Sequence, residues 1–119
     1  MDETTVRWSY TTFIGDGMLF DEYQSKAMNT RLPTADIEYA VLNLAAEAGE
    51  ITGKFAKSRR DKIEVNVEAV ALECGDVMWS LALIAEELGI SMADMARMNL
   101  EKLQSRKNRG TLGGSGDYR

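Results

Sequence analysis

The 119-residue sequence contains no histidine, and this absence removes several kinds of catalytic and metal chemistry at once. Without imidazole there is no Ser–His or Cys–His nucleophile pair, no histidine acid or base, and no imidazole zinc site. A di-iron helical bundle is excluded as well, because such sites need Glu-x-x-His pairs on two helices. Any catalysis must therefore use carboxylates, lysines, tyrosines or metal-bound water.

The sequence also has a single cysteine, no excess of positive charge and no long apolar run. One cysteine cannot form an internal disulfide, and the first residues carry neither a positive leader nor an apolar stretch. We therefore expect a cytoplasmic protein without a secretory signal. The net charge of -5 argues against a nucleic-acid partner held through its phosphates. The apolar runs are too short to span a bilayer, so no membrane partner is expected either.

Helical periodicity predicts an all-α domain over residues 1–119, with helices at about 18–29, 34–57, 65–88 and 91–106. Thr34 is the predicted N-cap of the second helix. Residues 58–61 are predicted to form a charged connection after that helix. Gly89 should end the third helix, and Ser91 with Asp94 resembles a capping box for the fourth. Residues 1–17 are predicted to be irregular, and residues 110–119 to form a mobile glycine-rich tail.

Two acidic pairs stand out on the second and third predicted helices. Glu47 and Glu50 are three residues apart, as are Glu73 and Asp76. Positions i and i+3 are neighbours on one helix face, so each pair can present two carboxylates in one direction. If the two helices pack antiparallel, the four carboxylates can converge. For the first pair alone, two solvated surface acids are the simpler interpretation.

The second pair differs, because Glu73 and Asp76 lie on a helix with little polar surface. Their predicted apolar surroundings are Leu72, Val77, Leu83 and Ile84. Burying unpaired carboxylates is costly, and a neighbouring like charge adds to that cost. With no histidine available, a hard divalent cation with oxygen ligands is the natural compensation. A carboxylate-only site favours Mg²⁺ or Mn²⁺ over zinc.

Basic residues that could hold phosphate groups follow the acids along the chain. Lys54 lies about one helical turn after the first acidic pair. Asn99, Lys102 and Arg106 share one face of the fourth helix at i, i+3 and i+7, and Arg109 follows that helix. A solvated basic end that complements the helix dipole is the alternative interpretation. As a group, however, these side chains suit a polyphosphate.

Together these motifs resemble those of the MazG-like all-α NTP pyrophosphohydrolases of bacteria and phages. Glu47-Ala-Gly-Glu50 and Glu73-Cys-Gly-Asp76, with 22 residues between them, are similar to the family's Glu-x-x-Glu and Glu-x-x-Asp signature. The run from Glu73 to Trp79 is similar to the family's third helix, and the basic fourth helix and the tail also resemble family members. The resemblance covers about residues 20–119. Cys74 stands where relatives often have a larger aliphatic residue, and we expect it to be a small buried filler.

The resemblance implies a bundle of four or five helices per subunit, assembled as a dimer or a dimer of dimers with active sites at the interface. The implied reaction converts an NTP and water into an NMP and pyrophosphate, with two or more Mg²⁺ ions per site (or Mn²⁺ as a substitute). The implied metal ligands are Glu47, Glu50, Glu73 and Asp76. Glu47 borders the apolar stripe of the second helix, where desolvation would raise its proton affinity, so we expect it to orient the attacking water, with Glu50 as the second candidate. The implied phosphate-binding residues are Lys54, Asn99, Lys102, Arg106 and Arg109.

The base and the sugar are the least constrained features of the substrate. Tyr23, Gln24 and Trp8 are candidate base contacts. The resemblance favours a purine nucleotide, in particular a guanine (d)NTP, and a role in controlling the nucleotide pool. Two alternatives stay open: a dUTP or phosphoribosyl-ATP pyrophosphohydrolase of the same superfamily, and a helical oligomerisation module without activity.

Overall fold

A computed structural model describes residues 17–118, and within this range the chain forms four α-helices and no strand. The helices are α1 (Phe20–Met28), α2 (Ile37–Asp61), α3 (Val67–Leu88) and α4 (Met92–Asn108). The predicted all-α fold is confirmed. The predictions for residues 1–16, including Trp8 as a base contact, lie outside the described residues.

Side-chain caps define where three of the four helices begin. Asp36, Asn66 and Ser91 each accept a hydrogen bond from the backbone N–H three residues further on. Each such cap satisfies an N–H that has no partner inside its helix and contributes about 1 kcal/mol. The cap at Ser91 was predicted. The predicted cap at Thr34 is wrong, because the chain turns once more before α2 begins and brings Asp36 to that position.

The far ends of α2 and α3 depend on two residues in the left-handed backbone conformation. Residues 58–61, predicted as a connection, are instead the last turn of α2, since no glycine or proline interrupts them. The helix ends at Lys62, which has φ 56° and whose N–H donates to the Ser58 carbonyl. As predicted, α3 ends at Gly89, with φ 72°. Glycine adopts this conformation without a steric penalty, whereas lysine does not.

The central helix of the described fold is α3, which contacts each of the other three helices. Its most extensive packing is against α2, and Asn43 contacts Ser80 while Lys54 contacts Glu73. Residue numbers therefore rise along one helix as they fall along the other, which makes the pair antiparallel. The other two helices pack against α3 and against each other, and α2 makes no contact with α4 within residues 17–118.

Buried apolar residues are concentrated at one end of α3. Its fully buried positions all lie in its second half, where they pack against alanine and methionine side chains from outside the helix; they are Ser80, Ala82, Leu83 and Ala85. The first half of α3 has much of its surface open, so Leu72 is 66% exposed. The expectation that the acids of α3 are buried among apolar residues is therefore wrong for Asp76, which is exposed. No helix in the described range is both long and apolar enough to cross a membrane.

Polar side chains of α1 cap the start of α4. Gln24 accepts a hydrogen bond from the Met92 N–H at 2.7 Å, and Asp21 accepts one from the Ala93 N–H at 3.2 Å. The amide of Gln24 also donates to the Ile90 carbonyl at 3.2 Å. These bonds satisfy N–H groups in the first turn of α4 that have no partner inside the helix. They thereby join α1 to the connection between α3 and α4.

Lys62→Gly and Gly89→Ala should change stability in opposite directions. Glycine at position 62 relieves the left-handed strain and should raise the free energy of unfolding by about 0.5–1 kcal/mol. Alanine at position 89 meets no neighbouring atom, so its effect is confined to the backbone, and it should lower that free energy by about 1 kcal/mol. Urea unfolding followed by circular dichroism, at one protein concentration, measures both changes. Shifts of the same sign would contradict the left-handed helix ends.

Candidate functional site

Three carboxylates meet between α2 and α3, near the middle of the antiparallel pair. Glu47, Glu73 and Asp76 each place one carboxylate oxygen within 4.8 Å of the other two. Glu73 and Asp76 are three residues apart on α3, and this spacing presents both side chains toward α2. Of the four acids predicted to converge, Glu50 is exposed and stands outside this group.

The charge in this acid cluster (Glu47, Glu73 and Asp76) is only partly balanced. A hydrogen bond with Glu73 raises the pKa of Glu47 above its usual value, and burial and the charge of Asp76 raise it further. Lys54 places its Nζ 3.6 Å from Oε1 of Glu73. One ammonium group cannot neutralise three neighbouring carboxylates. Lys54, predicted to bind phosphate, thus lies at the edge of the acid cluster and is paired with one of its acids.

The donor set of the acid cluster fits a hard divalent cation. It supplies several carboxylate oxygens within 4.8 Å and no nitrogen or sulfur ligand. Mg²⁺ and Mn²⁺ favour such oxygen ligands, whereas zinc favours sites with nitrogen or sulfur. The raised pKa of Glu47 indicates the same preference, because a bound cation would relieve the repulsion from the neighbouring carboxylates that contributes to raising it.

A cleft of about 320 Å³ opens directly beside the acid cluster. It is lined by Thr30, Tyr39, Asn43, Glu47, Asp76 and Trp79. The rings of Tyr39 and Trp79 meet edge to face, with centroids 6.3 Å apart. The indole N–H donates to Thr30 Oγ1 at 2.8 Å, and Asn43 Nδ2 donates to Ser80 Oγ at 2.9 Å. This aromatic cleft is therefore held in position by hydrogen bonds on two sides.

Sequence reasoning did not assign Tyr39 and Asn43 to the site, although a signal was present. Both precede Glu47 on α2 at intervals of four residues, and Trp79 follows Asp76 by three on α3. Such intervals keep side chains on one helix face. The same face that carries the acids therefore carries the walls of the aromatic cleft.

The two predicted base contacts on α1, Tyr23 and Gln24, do not line the aromatic cleft. Gln24 is buried, and both ends of its amide are engaged: Oε1 with the Met92 N–H, and Nε2 with the Ile90 carbonyl and with Glu86 at 3.0 Å. This arrangement favours a role in joining helices. Tyr23 is partly buried, and its hydroxyl is 3.5 Å from the carbonyl of Gly75. Burial, and then the charge of Asp76, raise the pKa of Tyr23.

Tyr23 lies in an apolar groove between the start of α1 and the first half of α3. The groove is also lined by Met18, Leu19, Phe20, Ala71, Cys74, Gly75 and Met78. The expectation of Cys74 as a buried filler is wrong, because its side chain is exposed in this groove.

The basic residues of α4 are not joined to the acid cluster within one chain. Asn99 and Lys102 line a shallow pocket with Ile90, Met95 and Met98. Arg106 is buried against the tail, and Arg109 donates from Nε to Ser105 Oγ at 3.2 Å. Within residues 17–118, α4 makes no contact with α2, and no ion pair joins these basic residues to the acid cluster. The tail, expected to be mobile, lies against α4.

The chain is similar to known proteins over most of its length. Residues 36–111 match the family model of the MazG nucleotide pyrophosphohydrolase domain. The Gene 37 protein of Mycobacterium phage L5 is 40% identical over 114 residues, which covers 86% of this chain and 100% of that protein. No solved structure matches the chain significantly. The family match includes the acid cluster and the basic residues of α4 but begins after α1.

Gln24→Leu tests whether this side chain joins helices. The substitution leaves the Met92 N–H and the Ile90 carbonyl without their partner, so the free energy of unfolding should fall by roughly 1–3 kcal/mol. The matched control is Ser25→Ala, which alters an exposed neighbour on the same helix. Chemical denaturation measures the difference. Unchanged stability in Gln24→Leu would leave a ligand contact as the better explanation for this residue.

Proposed function

This chain belongs to the MazG nucleotide pyrophosphohydrolase family, and from that premise we propose that it hydrolyses a nucleoside triphosphate to the monophosphate and pyrophosphate, with Mg²⁺ required. The observation that carries the proposal is the meeting of Glu47, Glu73 and Asp76 beside a cleft with aromatic walls. An acid cluster and a triphosphate repel each other. Both become compatible when a divalent cation lies between them.

The acid cluster would hold this cation, and Glu50, exposed on α2, is proposed to join it when two or more ions bind. When bound, the metal would offset the charge of the phosphate oxygens and of the departing pyrophosphate. Mn²⁺ should substitute for Mg²⁺, because both prefer oxygen ligands. Lys54 is placed to balance charge at the edge of the acid cluster, where it already lies 3.6 Å from Glu73.

Glu47 is proposed to orient the attacking water. It belongs both to the acid cluster and to the wall of the aromatic cleft, so a water beside it would lie between the cation site and the nucleotide. As the water oxygen bonds to the α-phosphorus, one of its protons would pass to the Glu47 carboxylate, and the bond to the leaving pyrophosphate would break. Glu50, which follows it by one helical turn, is the second candidate for this role.

The aromatic cleft is proposed to bind the base. Its volume of about 320 Å³ lies at the lower end for small-molecule sites and suits a single planar ring system. The rings of Tyr39 and Trp79 offer stacking surface, and the Asn43 amide can both donate and accept hydrogen bonds. We propose a purine, in particular guanine, as the preferred base, and control of the nucleotide pool in the bacterial or phage-infected cytoplasm as the role. The phage relative supports this setting.

A second copy of the chain is proposed to complete the site, in a dimer or a dimer of dimers. Large apolar side chains of α2 and α3 are exposed in the single chain: Leu42 is 71% exposed, Phe55 52% and Leu72 66%. Covering such a surface favours association. A partner helix α4 would then bring its basic residues, Asn99, Lys102, Arg106 and Arg109, toward the phosphates that the acid cluster cannot hold alone.

Glu47→Gln should abolish turnover while leaving the fold intact, because the amide cannot accept the proton of the water. A loss of at least about 10²-fold in kcat is expected for a general base. Pyrophosphate release, measured across the natural NTPs and dNTPs, dUTP and phosphoribosyl-ATP, gives both the activity and the substrate. Glu101→Gln, the same change at an exposed position of α4, is the control. Near wild-type turnover in Glu47→Gln would remove this residue from the mechanism.

Mixing two inactive variants tests the shared site in the same assay. If Lys102 acts on the acid cluster of its partner, a hybrid of Glu47→Gln and Lys102→Gln chains has one intact site of its two. Random exchange between dimers should then restore about a quarter of wild-type activity. An assembly whose sites each lie within one chain would show no recovery. If the wild-type protein is inactive and its melting temperature does not change when Mg²⁺ and nucleotide are added, the alternative of an oligomerisation module without activity is favoured.

Tyr39→Leu should weaken nucleotide binding, because it removes a ring from the wall of the aromatic cleft. Stacking on a base is worth about 1–3 kcal/mol, so KM should rise roughly tenfold, with a smaller change in kcat. Tyr39→Phe keeps the ring and should behave like the wild type. Steady-state kinetics with the preferred nucleotide provides the measurement. Equal KM values for both variants would place the base outside this cleft.

A further inference from the structure

The C-terminal tail is held against α4 by a network around Arg106. The Arg106 side chain is 6% exposed, and its Nη2 donates to the carbonyls of Gly116 at 3.2 Å and Asp117 at 2.8 Å. The same nitrogen lies 3.3 Å from Oδ1 of Asp117. Lys102, about one turn earlier on α4, places its Nζ 3.2 Å from that oxygen. The Asp117 carboxylate therefore contacts two cations at once.

Backbone geometry directs the tail back to these cations. The Thr111 N–H donates to the carbonyl of Arg106 at 2.8 Å, which turns the chain just after α4 ends. Gly114 and Gly116 have φ values of 90° and 87°, in the left-handed region that favours glycine. The tail thus reaches Arg106 through a defined path, and the glycines permit its turns.

The anion site formed by Lys102 and Arg106 is not fully satisfied by Asp117. Arg106 Nε is buried and has no hydrogen-bond partner among the described residues. A buried donor without a partner is costly, particularly on a charged group. The carboxylate that faces the site is itself 74% exposed, so it is held from one side only. An anion with more oxygens could engage the donors that Asp117 leaves unpaired.

The charge of Asp117 is secured by the same contacts. Hydrogen bonds from Lys102 and then from Arg106 hold the pKa of Asp117 below its usual value. The carboxylate is therefore ionised at neutral pH, as a phosphate group would be. It presents to Lys102 and Arg106 the type of negatively charged oxygen that a phosphate presents.

We propose that Asp117 is an internal substitute for a phosphate group, which fills the anion site of Lys102 and Arg106 and pins the tail, and which a phosphate-bearing ligand must displace. The ligand class rests on the proposed function. We call the contact of Asp117 with Lys102 and Arg106 the latch. One consequence is that ligand affinity is reduced by the fraction of molecules in which this latch is closed. A second is that ligand binding releases the tail, so the two events are linked.

The test uses the full chain, inorganic tripolyphosphate as the probe, and no divalent metal. Asp117→Asn removes the competing charge and should tighten tripolyphosphate binding by about fivefold, the scale of a partly exposed ion pair. The control is Glu101→Gln, which also removes one negative charge. Glu101 lies on α4 and pairs with Arg97 at 3.8 Å instead of with the anion site, so this variant should bind tripolyphosphate like the wild type. Titration calorimetry at one ionic strength gives the three dissociation constants.

Tail movement is read separately, from the amide signals of Gly113, Gly114 and Gly116 in NMR spectra. Saturating the wild type with tripolyphosphate should shift these signals to the positions and narrow widths that they have in free Asp117→Asn. Equal affinities in wild type and Asp117→Asn, an equal gain in Glu101→Gln, or a tail that stays unmoved at saturation would each overturn the latch.

Absence of tripolyphosphate binding would overturn the latch as well. None of these readouts needs turnover, so they stand apart from the proposed function. A wild type that binds the probe and releases its tail but hydrolyses no nucleotide would support the latch and contradict the enzyme. A wild type that hydrolyses nucleotides while its tail signals stay unchanged would support the proposed enzyme and contradict the latch.

Discussion

Mutual repulsion among three carboxylates is the main electrostatic constraint on the packing of α2 against α3. Glu47, Glu73 and Asp76 come within 4.8 Å of one another, and a single lysine offsets only part of their charge. The packing of two long helices holds the acids together, because α2 and α3 cannot separate locally without losing their apolar contacts. A group arranged in this way before a cation arrives needs little rearrangement to bind it, which is the condition for electrostatic catalysis. The chain belongs to the MazG nucleotide pyrophosphohydrolase family, whose reaction releases a negatively charged pyrophosphate.

The layout of α3 explains why the acids and the core coexist on one helix. Its second half is buried by all three neighbours, whereas its first half faces α2 and leaves much of its remaining surface open. The packed core therefore lies at one end of α3, and the candidate site lies toward the other. The aromatic cleft lies where the two halves meet, with Trp79 packed against the core on one side and lining the cleft on the other. On α4, which makes no contact with α2 in the described range, Lys102 and Arg106 form a second centre of charge with the opposite sign.

Several elements follow from local sequence alone, and two of the errors lie at the ends of α2. The cap at Ser91, the end of α3 at Gly89 and the facing acids of α3 depend on spacings of three or four residues, which helix geometry makes predictive. Thr34 and Asp36 have the same capping chemistry, and only the path of the chain makes Asp36 the cap. Residues 58–61 are charged, which favours a surface loop, but charge alone does not end a helix.

Short-range patterns were enough to establish the helices, the acid pairs and the family, because each depends on residues close together along the chain. Long-range packing alone established which groups meet. It paired Lys54 with Glu73, and it buried the Gln24 amide beneath α4. It also laid Asp117 on the cations of α4. The physical reason is that a side chain's partner depends on how helices dock, and docking is set by the summed contacts of whole surfaces, which no single motif records.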